Sequence, residues 1–218
     1  MDPVTVSIII PSRDRTAGLV RAIESLRATQ GRHQPEIVVV LDGGDEESQR
    51  VIAARDDVVM VIAGQGDEYL GRPQDKYNLG YKAATGNWIV TFADDCEMVS
   101  DNWIDHCLDV DKGGFVGLYD GVHPSWSFAT LHMASRRYIE EQMNGMLGIP
   151  AYHVWWADAE WADRARDNGV YVVCEQARFN HYHPANSTGK TDPIYKLAGD
   201  WREQDEKTYS RRRKRGWK

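Results

Sequence analysis

The alternation of short apolar runs with amphipathic segments in the first 92 residues constrains the fold more than any other feature of the chain. Short runs rich in β-branched residues, bounded by Gly, Pro, Asn or Asp, are typical of strands in a sheet core. We expect such strands at residues 4–10, 36–41, 58–63 and 88–92, with helices near 19–26, 45–55 and 75–84. With right-handed crossovers, this order predicts an α/β fold whose mostly parallel sheet is covered by helices on both faces.

The second half of the sequence is less regular and predicts a smaller, antiparallel portion. We expect helices at residues 102–110 and 156–168 and one ending at 143, with strands at 113–119, 128–134 and 170–174. A chain of 218 residues that is 42% hydrophobic can bury one sizeable core. We therefore expect a single domain over residues 1–200, followed by a tail over residues 201–218.

Charge is distributed unevenly between this domain and the tail. The net charge is −7, yet residues 211–218 carry six Arg and Lys side chains and no acid, so the other 210 residues carry −13. A short basic run at a chain end is usually solvated and without regular structure. The other interpretation is a contact with a polyanion such as nucleic acid or an anionic membrane surface.

Three features bear on the compartment. No apolar stretch is long enough to cross a bilayer, and the first residues lack the basic and apolar regions of a secretory signal. The cysteines Cys96, Cys107 and Cys174 have no metal-site spacing and cannot all pair in disulfides, which favours a reducing compartment. We expect a cytoplasmic protein.

Two adjacent carboxylates, Asp94 and Asp95, follow the fourth predicted strand. The carboxyl edge of an open α/β sheet is where ligands bind, and carboxylate oxygens suit Mg²⁺ or Mn²⁺ holding a phosphate. An isolated Asp-Asp pair is more often a cap of the following helix. The rest of the sequence decides between these interpretations.

Four segments, in order, resemble the motifs of family 2 glycosyltransferases. The match runs from about residue 4 to residue 184, over segments 6–15, 36–44, 78–95 and 157–181. Each motif alone is weak, but their order makes the resemblance specific. The resemblance implies a GT-A fold, which is Rossmann-like, and an inverting transfer of a sugar from a nucleoside diphosphate sugar to a hydroxyl acceptor. It marks the chain as an enzyme of the hexosyltransferase type.

The resemblance also implies a metal-assisted reaction with Mn²⁺ or Mg²⁺ as cofactor. Asp95 is the first choice as ligand, with Asp94 sharing the metal or directed at the ribose, and His181 matches a histidine that completes the coordination in some members. The third acid of the family motif is replaced by Cys96, and a thiol is a poor ligand for a hard cation. His183 lies two residues beyond His181, so both rings would face the site if this segment is a strand.

Asp158 aligns with the general base of the family. The position before the base is usually acidic in the family and is occupied by Ala157 here, so Glu160 remains an alternative candidate for the base. Asp158 opens a predicted helix, and an Asp there is often only a cap.

The nucleotide and acceptor sites follow from the same alignment. Pro11 and Asp14 resemble positions lining the base and ribose, and Asp42 resembles the carboxylate that binds the base ring. Arg72 and Lys76 are candidates for binding the diphosphate or the base. The other interpretation is that both are solvated helix charges. The full predicted nucleotide-sugar set is Pro11, Ser12, Arg13, Asp14, Asp42, Gly43, Arg72, Lys76 and Asp94. The predicted acceptor set is Trp126, Trp155, Trp156 and His123, with aromatic faces that suit a sugar ring or a nucleobase.

UDP is the favoured sugar carrier, since uridine is the commonest base in the family. The acceptor is expected to be a glycan, a lipid-linked glycan or, given the basic tail, a hydroxymethylated base of viral DNA, which would have to be flipped out of a duplex. The departures at Ala93, Cys96 and Ala157 leave a second class of function open, a catalytically silent domain that binds a nucleotide or glycan.

Overall fold

A mixed sheet of eight strands organises the part of the chain that the computed structural model describes, residues 3–64, 72–124, 127–186, 188–189 and 191–217. The strands are β1 (Val6–Ser12), β2 (Glu36–Leu41), β3 (Val59–Ile62), β4 (Trp88–Thr91), β5 (Cys96–Met98), β6 (Phe115–Tyr119), β7 (His132–Ser135) and β8 (Val173–His181). Their spatial order is β3-β2-β1-β4-β7-β6-β8-β5.

The parallel half of the sheet, β3-β2-β1-β4, confirms the fold predicted from the apolar runs. Three crossover helices connect its strands, namely α1 (Thr16–Thr29), α2 (Glu46–Ala53) and α3 (Pro73–Ala83). In β1, Ile8 and Ile10 pack with α1 on one face, while Ile9 packs with α3 on the other. Side chains of a strand alternate between faces, so a strand buried on both faces must be apolar throughout, as β1 is.

The second half of the sheet turns antiparallel and then parallel again. β7 runs antiparallel to both β4 and β6, so β6 is parallel to β4, and β8 is parallel to β6. The carboxyl ends of β1, β2, β4, β6 and β8 therefore lie at one edge of the sheet. Helices α4 (Trp103–Val110), α5 (Arg136–Gln142) and α6 (Ala157–Asp167) pack against this half.

The last strands differ from the sequence prediction. The prediction of a strand at 170–174 is wrong in its bounds, because Val170 and Tyr171 donate backbone bonds to Ala165 and close α6. The strand starts at Val173 and continues through an irregularity in its pairing with β6 to His181. There it pairs antiparallel with β5, a three-residue strand that the sequence analysis does not predict.

Residues 202–214 form a helix, α8 (Arg202–Lys214), where the sequence analysis expects a basic tail without regular structure. A preceding helix, α7 (Pro193–Gly199), connects it to the sheet. α8 packs against the rest of the chain because not every side chain of its basic run points to solvent. Arg212 points inward to buried Glu160 of α6, and Tyr209 stacks on Trp156 with ring centroids 5.1 Å apart.

Two further predictions from the sequence concern the cysteines and membrane-spanning helices. All three cysteines are buried and free. Among the described residues, no helix is both long enough and apolar enough to span a membrane.

Candidate functional site

The two acids that follow β4 lie at the carboxyl edge of the sheet, as the sequence predicts. Asp94 is buried, and its Oδ2 accepts a hydrogen bond of 2.8 Å from the Ser12 hydroxyl at the end of β1. Gly18 of α1 packs against the same point, since a Cβ there would lie 2.5 Å from the Asp94 carbonyl oxygen. The glycine therefore allows α1 to approach the strand end closely enough to enclose the acids.

The two carboxylates titrate differently. Burial and the negative charge of Asp95 raise the pKa of Asp94 to about 6, against the lowering effect of Arg15 and Ser12. Burial would also raise the pKa of Asp95, but His181, the Tyr195 hydroxyl and Arg15 hold it well below its usual range. Like charges side by side disfavour double ionisation, so a cation between them would be stabilising.

A group of side chains suited to a metal forms where β5 meets β8. Cys96 and His181 are direct cross-strand partners, and ligand atoms of Asp95, Cys96 and His181 all lie within 4.8 Å of one another. The Nε2 atom of His181 lies 3.6 Å from Oδ2 of Asp95. Within the described residues, Nδ1 of His181 is buried without a hydrogen-bond partner. A buried imidazole nitrogen and carboxylate oxygens fit a divalent cation such as Mn²⁺.

Cys96 does not add a good ligand to this group. Burial and the charge of Asp95 raise the pKa of its thiol well above the usual range, so the sulfur stays protonated at neutral pH. A protonated thiol does not ligate, and a thiolate would be a poor partner for Mn²⁺ or Mg²⁺. The oxygen ligands of Asp94 and Asp95 with the His181 imidazole are the fitting donors.

Arg15, which the sequence analysis does not single out, bridges the acids to the C-terminal part of the chain. Its Nη1 lies 3.1 Å from Oδ1 of Asp94 and 3.7 Å from Oδ2 of Asp95, while its Nε donates to Asp192 at 2.7 Å. The guanidinium lies 4.3 Å from the ring centroid of Tyr195, whose hydroxyl donates to Asp95. Arg15 lies three residues after the end of β1, so its sequence position already places it near the carboxyl edge of the sheet.

Asp192 and Tyr195 were harder to find from sequence. Asp192 caps α7 by accepting a bond from the Tyr195 backbone N–H, and Pro193 follows it. The Asp-Pro pair signals a helix start, but nothing local indicates that this helix reaches the carboxyl edge of the sheet.

The predicted nucleotide residues split into two sets. Asp42, at the end of β2, is buried with Lys76 Nζ 2.7 Å from its Oδ1 and Arg13 Nη1 3.3 Å from its Oδ2. Both carboxylate oxygens are buried and ion-paired with these two cations, so Lys76 is not a solvated helix charge.

A cleft of about 950 Å³ lies next to the acids, and of the predicted nucleotide residues its described lining includes Asp14 and Asp94. Asp14, at a left-handed φ of 51°, lines the cleft with Arg15, Asp94 and Asp95. Pro11 and Gly43 lie near the ends of β1 and β2. Arg72 donates to the Pro150 carbonyl at 3.3 Å, and the glycine-rich loop before it lies largely outside the described residues.

Asp158, in the first turn of α6, keeps a carboxylate available to a ligand. Its Oδ1 accepts a bond from the Ala159 N–H, and burial raises the pKa of the carboxyl to about 6, an effect that the charges of His123 and His181 reduce. These charge effects place Asp158 near His123 and near His181 at the end of β8. A pKa near the working pH suits a general base.

Glu160 is differently placed. It is fully buried, and its oxygens accept bonds from the Tyr152 hydroxyl at 2.7 Å, Arg164 at 2.6 Å and Arg212 at 2.8 Å. Its acceptor positions are engaged by Tyr152, by Arg164 of α6 and by Arg212 of α8. These buried contacts favour a structural ion-pair role for Glu160 over the alternative base role that the sequence left open.

The predicted acceptor residues also separate. His123 lies near Asp158, with its Nδ1 2.6 Å from Oδ2 of Asp120. Trp155 donates its Nε1 to the Ala198 carbonyl at 2.6 Å, and Trp156, at a φ of 72°, stacks on Tyr209. The tryptophans thus pack the C-terminal helices against the site. Trp126 lies outside the described residues.

His183 does not extend the strand as the sequence pattern suggested. Its backbone N–H bonds to the His181 carbonyl at 2.9 Å, so the chain turns sharply after His181. The two rings still lie with centroids 5.2 Å apart.

A mostly parallel sheet with paired acids and a histidine at its carboxyl edge defines a nucleotide-binding α/β protein of the GT-A class. The family model described as "Glycosyl transferase family 2" matches residues 7–152. The chain belongs to the family 2 glycosyltransferases.

Solved structures support the fold. The S. aureus TarS 1-349 structure in complex with UDP is 12% identical with a TM-score of 0.61, covering 84% of this chain and 62% of that chain. The mannosyltransferase PcManGT from Pyrobaculum calidifontis, in complex with GDP-Man and Mn²⁺, is 15% identical with a TM-score of 0.63, covering 89% and 68%. This chain thus spans less than two thirds of the TarS fragment. A search of curated proteins finds no match.

Proposed function

We propose that this chain is an inverting, metal-assisted glycosyltransferase that moves a sugar from a nucleoside diphosphate sugar to a hydroxyl acceptor. The observation that carries the proposal is the convergence of Asp94, Asp95 and His181 with Asp158 at one edge of the sheet. This arrangement supplies a cation site and a separate carboxylate of raised pKa, which are the two groups that the transfer needs.

Asp95, Asp94 and His181 would hold the divalent cation, which when bound supplies positive charge for the leaving diphosphate. The charges around these three residues favour the binding of a cation. The carboxylates of Asp94, Asp95 and Asp192 face one guanidinium, that of Arg15, so negative charge remains in excess. The oxygen-rich donor set favours Mn²⁺ or Mg²⁺ over softer metals.

Asp158 is proposed as the base. The acceptor oxygen attacks the anomeric carbon while its proton passes to Asp158, and the bond from that carbon to the diphosphate breaks, leaving its electron pair on the phosphate oxygen. Direct displacement by an oxygen on the opposite face inverts the anomeric centre. Asp158 is partly buried in the first turn of α6, so its carboxylate is not fully solvated. Its raised pKa allows the carboxylate to accept a proton near neutral pH.

The donor is proposed to be UDP-linked. Asp42 at the end of β2, paired with Lys76 and Arg13, is the proposed contact for the base ring. The TarS structures that resemble this fold include complexes with UDP and UDP-GlcNAc, whereas PcManGT is in complex with GDP-Man. Both nucleotides therefore belong in a test.

The test is the thermal stability of the protein with UDP, GDP, UDP-GlcNAc, UDP-glucose or GDP-mannose, each with and without Mn²⁺. A ligand at about 100 times its Kd adds about 2.7 kcal/mol to the stability of the folded state. We expect a Mn²⁺-dependent increase in Tm with one nucleotide, and release of that nucleotide from its sugar.

Two variants separate binding from catalysis. Asp158→Asn should keep the nucleotide-induced Tm increase and lose turnover, whereas Asp95→Asn should lose the dependence on Mn²⁺. Binding without turnover in the wild-type protein, left unaltered by Asp158→Asn, would support the catalytically silent alternative. No Tm increase with any nucleotide would refute the proposed donor site.

A second acceptor has one observation in its favour. The end of α8 exposes Arg211, Arg213, Lys214 and Arg215, a cluster that would attract phosphates. This keeps a hydroxymethylated DNA base as the alternative acceptor. Substituting these four residues by Gln should abolish DNA binding at low salt if the alternative is right, and absence of DNA binding by the wild-type protein would eliminate it.

A further inference from the structure

The loop after β6 holds an aspartate and a histidine in a fixed geometry. Asp120 follows Tyr119, and its buried Oδ1 accepts backbone bonds of 2.9 Å from both Val122 and His123. Its Oδ2 lies 2.6 Å from Nδ1 of His123. Gly121 adopts a left-handed φ of 70°, as this tight turn requires. The turn thus directs one carboxylate oxygen at the backbone and the other at the imidazole.

This geometry determines the tautomer of His123. The bonds from the backbone and the imidazole lower the pKa of Asp120 more than burial raises it, so the carboxylate is ionised at neutral pH and can only accept. A neutral His123 must therefore carry its proton on Nδ1. Its Nε2 is then a hydrogen-bond acceptor. The Phe128 ring, with its centroid 5.0 Å from that of His123, limits the rotation of the imidazole.

The Asp120–His123 pair lies at the functional edge of the sheet. β6 is parallel to β4, so the pair follows a strand end on the same edge as Asp94 and Asp95. Asp120 is near enough to Cys96 to raise the pKa of that thiol, and His123 is near enough to Asp158 to lower the pKa of that carboxyl. The His123 side chain is 34% exposed, whereas that of Asp120 is 4% exposed.

We propose that Nε2 of His123 accepts a hydrogen bond from one hydroxyl of the acceptor, while Asp158 faces a neighbouring, nucleophilic hydroxyl. Asp120 is the positioning residue that fixes the proton of the neutral imidazole on Nδ1 and so leaves Nε2 as the acceptor. Two separate proton-accepting groups at one edge of the sheet fit an acceptor with more than one hydroxyl, such as a sugar or a polyol. An acceptor with a lone hydroxyl satisfies only one of them. This assignment rests on the proposed function and names the class of its acceptor.

Asp120→Asn tests the role of the tautomer. The two backbone N–H donors require an oxygen at the Oδ1 position, so the amide nitrogen of the variant would face Nδ1 of His123. Two donors cannot bond, so the imidazole proton should move to Nε2 and turn the acceptor atom into a donor. The matched control is Asp105→Asn. Asp105 contacts His33 Nε2 at 3.0 Å, and His33 lies before β2 at the opposite edge of the sheet.

Two measurements follow on the full chain. Side-chain ¹⁵N NMR should show His123 protonated on Nδ1 in the wild-type protein and on Nε2 in Asp120→Asn. In the presence of UDP and diamagnetic Mg²⁺, methyl glycosides or glycerol should shift the Nε2 resonance of the wild-type protein only. Transfer to the same probes should fall about two- to tenfold in Asp120→Asn, in line with the loss of one hydrogen bond. The UDP-induced Tm increase should not change.

The role of His123 itself is tested by conservative replacement. His123→Gln can present an amide oxygen to the acceptor and should keep more transfer activity than His123→Ala. A purely structural role would instead lower Tm in both variants without changing the KM for the acceptor in the folded protein.

The outcomes distinguish this assignment from the proposed function. A wild-type protein that releases nucleotide from no donor would refute the proposed function, and the assignment with it. Turnover in the wild-type protein with unchanged transfer in Asp120→Asn would refute only the role of the pair. Protonation of His123 on Nε2 in the wild-type protein, or no response to any polyhydroxyl probe, would also refute that role.

Discussion

Replacing Glu160 by Gln should destabilise the fold without removing a catalytic group. Glu160 is fully buried between Arg164 and Arg212, whose side chains are 12% and 18% exposed. Removing one partner of a buried ion pair costs about 3–5 kcal/mol because the other charge is left buried. Since both guanidinium groups can reach some water, we expect about 3 kcal/mol, near the low end of that range. For a chain of this size that corresponds to a decrease in Tm of about 6–12 °C.

The assay compares urea or thermal unfolding with nucleotide release measured well below the Tm. Glu160→Gln should unfold earlier, yet its folded fraction should bind nucleotide and turn over the donor as the wild-type protein does. The matched control is Glu203→Gln on α8, the helix that carries Arg212. Glu203 is exposed and pairs with exposed Lys207, so its substitution should leave the Tm unchanged.

A double-mutant cycle tests the mechanism of the effect. Arg212→Ala should also lower the Tm, and its effect should not add to that of Glu160→Gln because both changes break the same contact. Additive effects would show that the pair does not hold α8 on α6. Lost turnover in Glu160→Gln at unchanged stability would refute the reasoning and restore Glu160 as a candidate base.

Four further outcomes are expected at the acids and their contacts. Asp95→Asn should weaken Mn²⁺ binding at least about tenfold, as measured by titration calorimetry. Even the loss of a residue that only hydrogen-bonds to a metal ligand lowers metal affinity by at least about tenfold. Unchanged affinity would contradict the role of Asp95 as a ligand. Tyr195→Phe removes the hydroxyl that occupies Asp95 and should strengthen Mn²⁺ binding severalfold, whereas weaker binding would mean that Tyr195 orients the ligand. Turnover should rise with pH through about 6 as Asp158 ionises, and a flat profile would exclude it as the base. Because the pKa of Asp158 in the folded protein lies above the ordinary value of 3.8, its ionisation opposes folding. Asp158→Asn should therefore be more stable than wild type at pH 8, with the gain lost towards pH 4.

The sequence predicts the parallel half of the fold well because the evidence there is local. β2 occupies the predicted residues, and the acids after β4 lie at the expected edge since the carboxyl ends of parallel strands meet. Contacts between distant segments leave no such local signal. β5 is three residues long and exists because it pairs with the end of β8, and Glu160 looks like an exposed helix acid until α8 places Arg212 beside it. Propensity says little about either contact.

The family match over residues 7–152 therefore covers the nucleotide side of the site more fully than the catalytic side. His181, at the end of β8, brings an imidazole to Asp95, and Tyr195 on α7 donates to the same carboxylate. Arg15 connects these halves, since it contacts Asp94 and Asp95 on one side and Asp192 on the other. Because these contacts converge on the carboxylates proposed to hold the cation, the position of α7 must affect how strongly that cation binds. The residues after 152 are thus part of the proposed catalytic centre, and a fragment that ends at the matched region would lack Asp158, His181 and the groups that hold the acids in place.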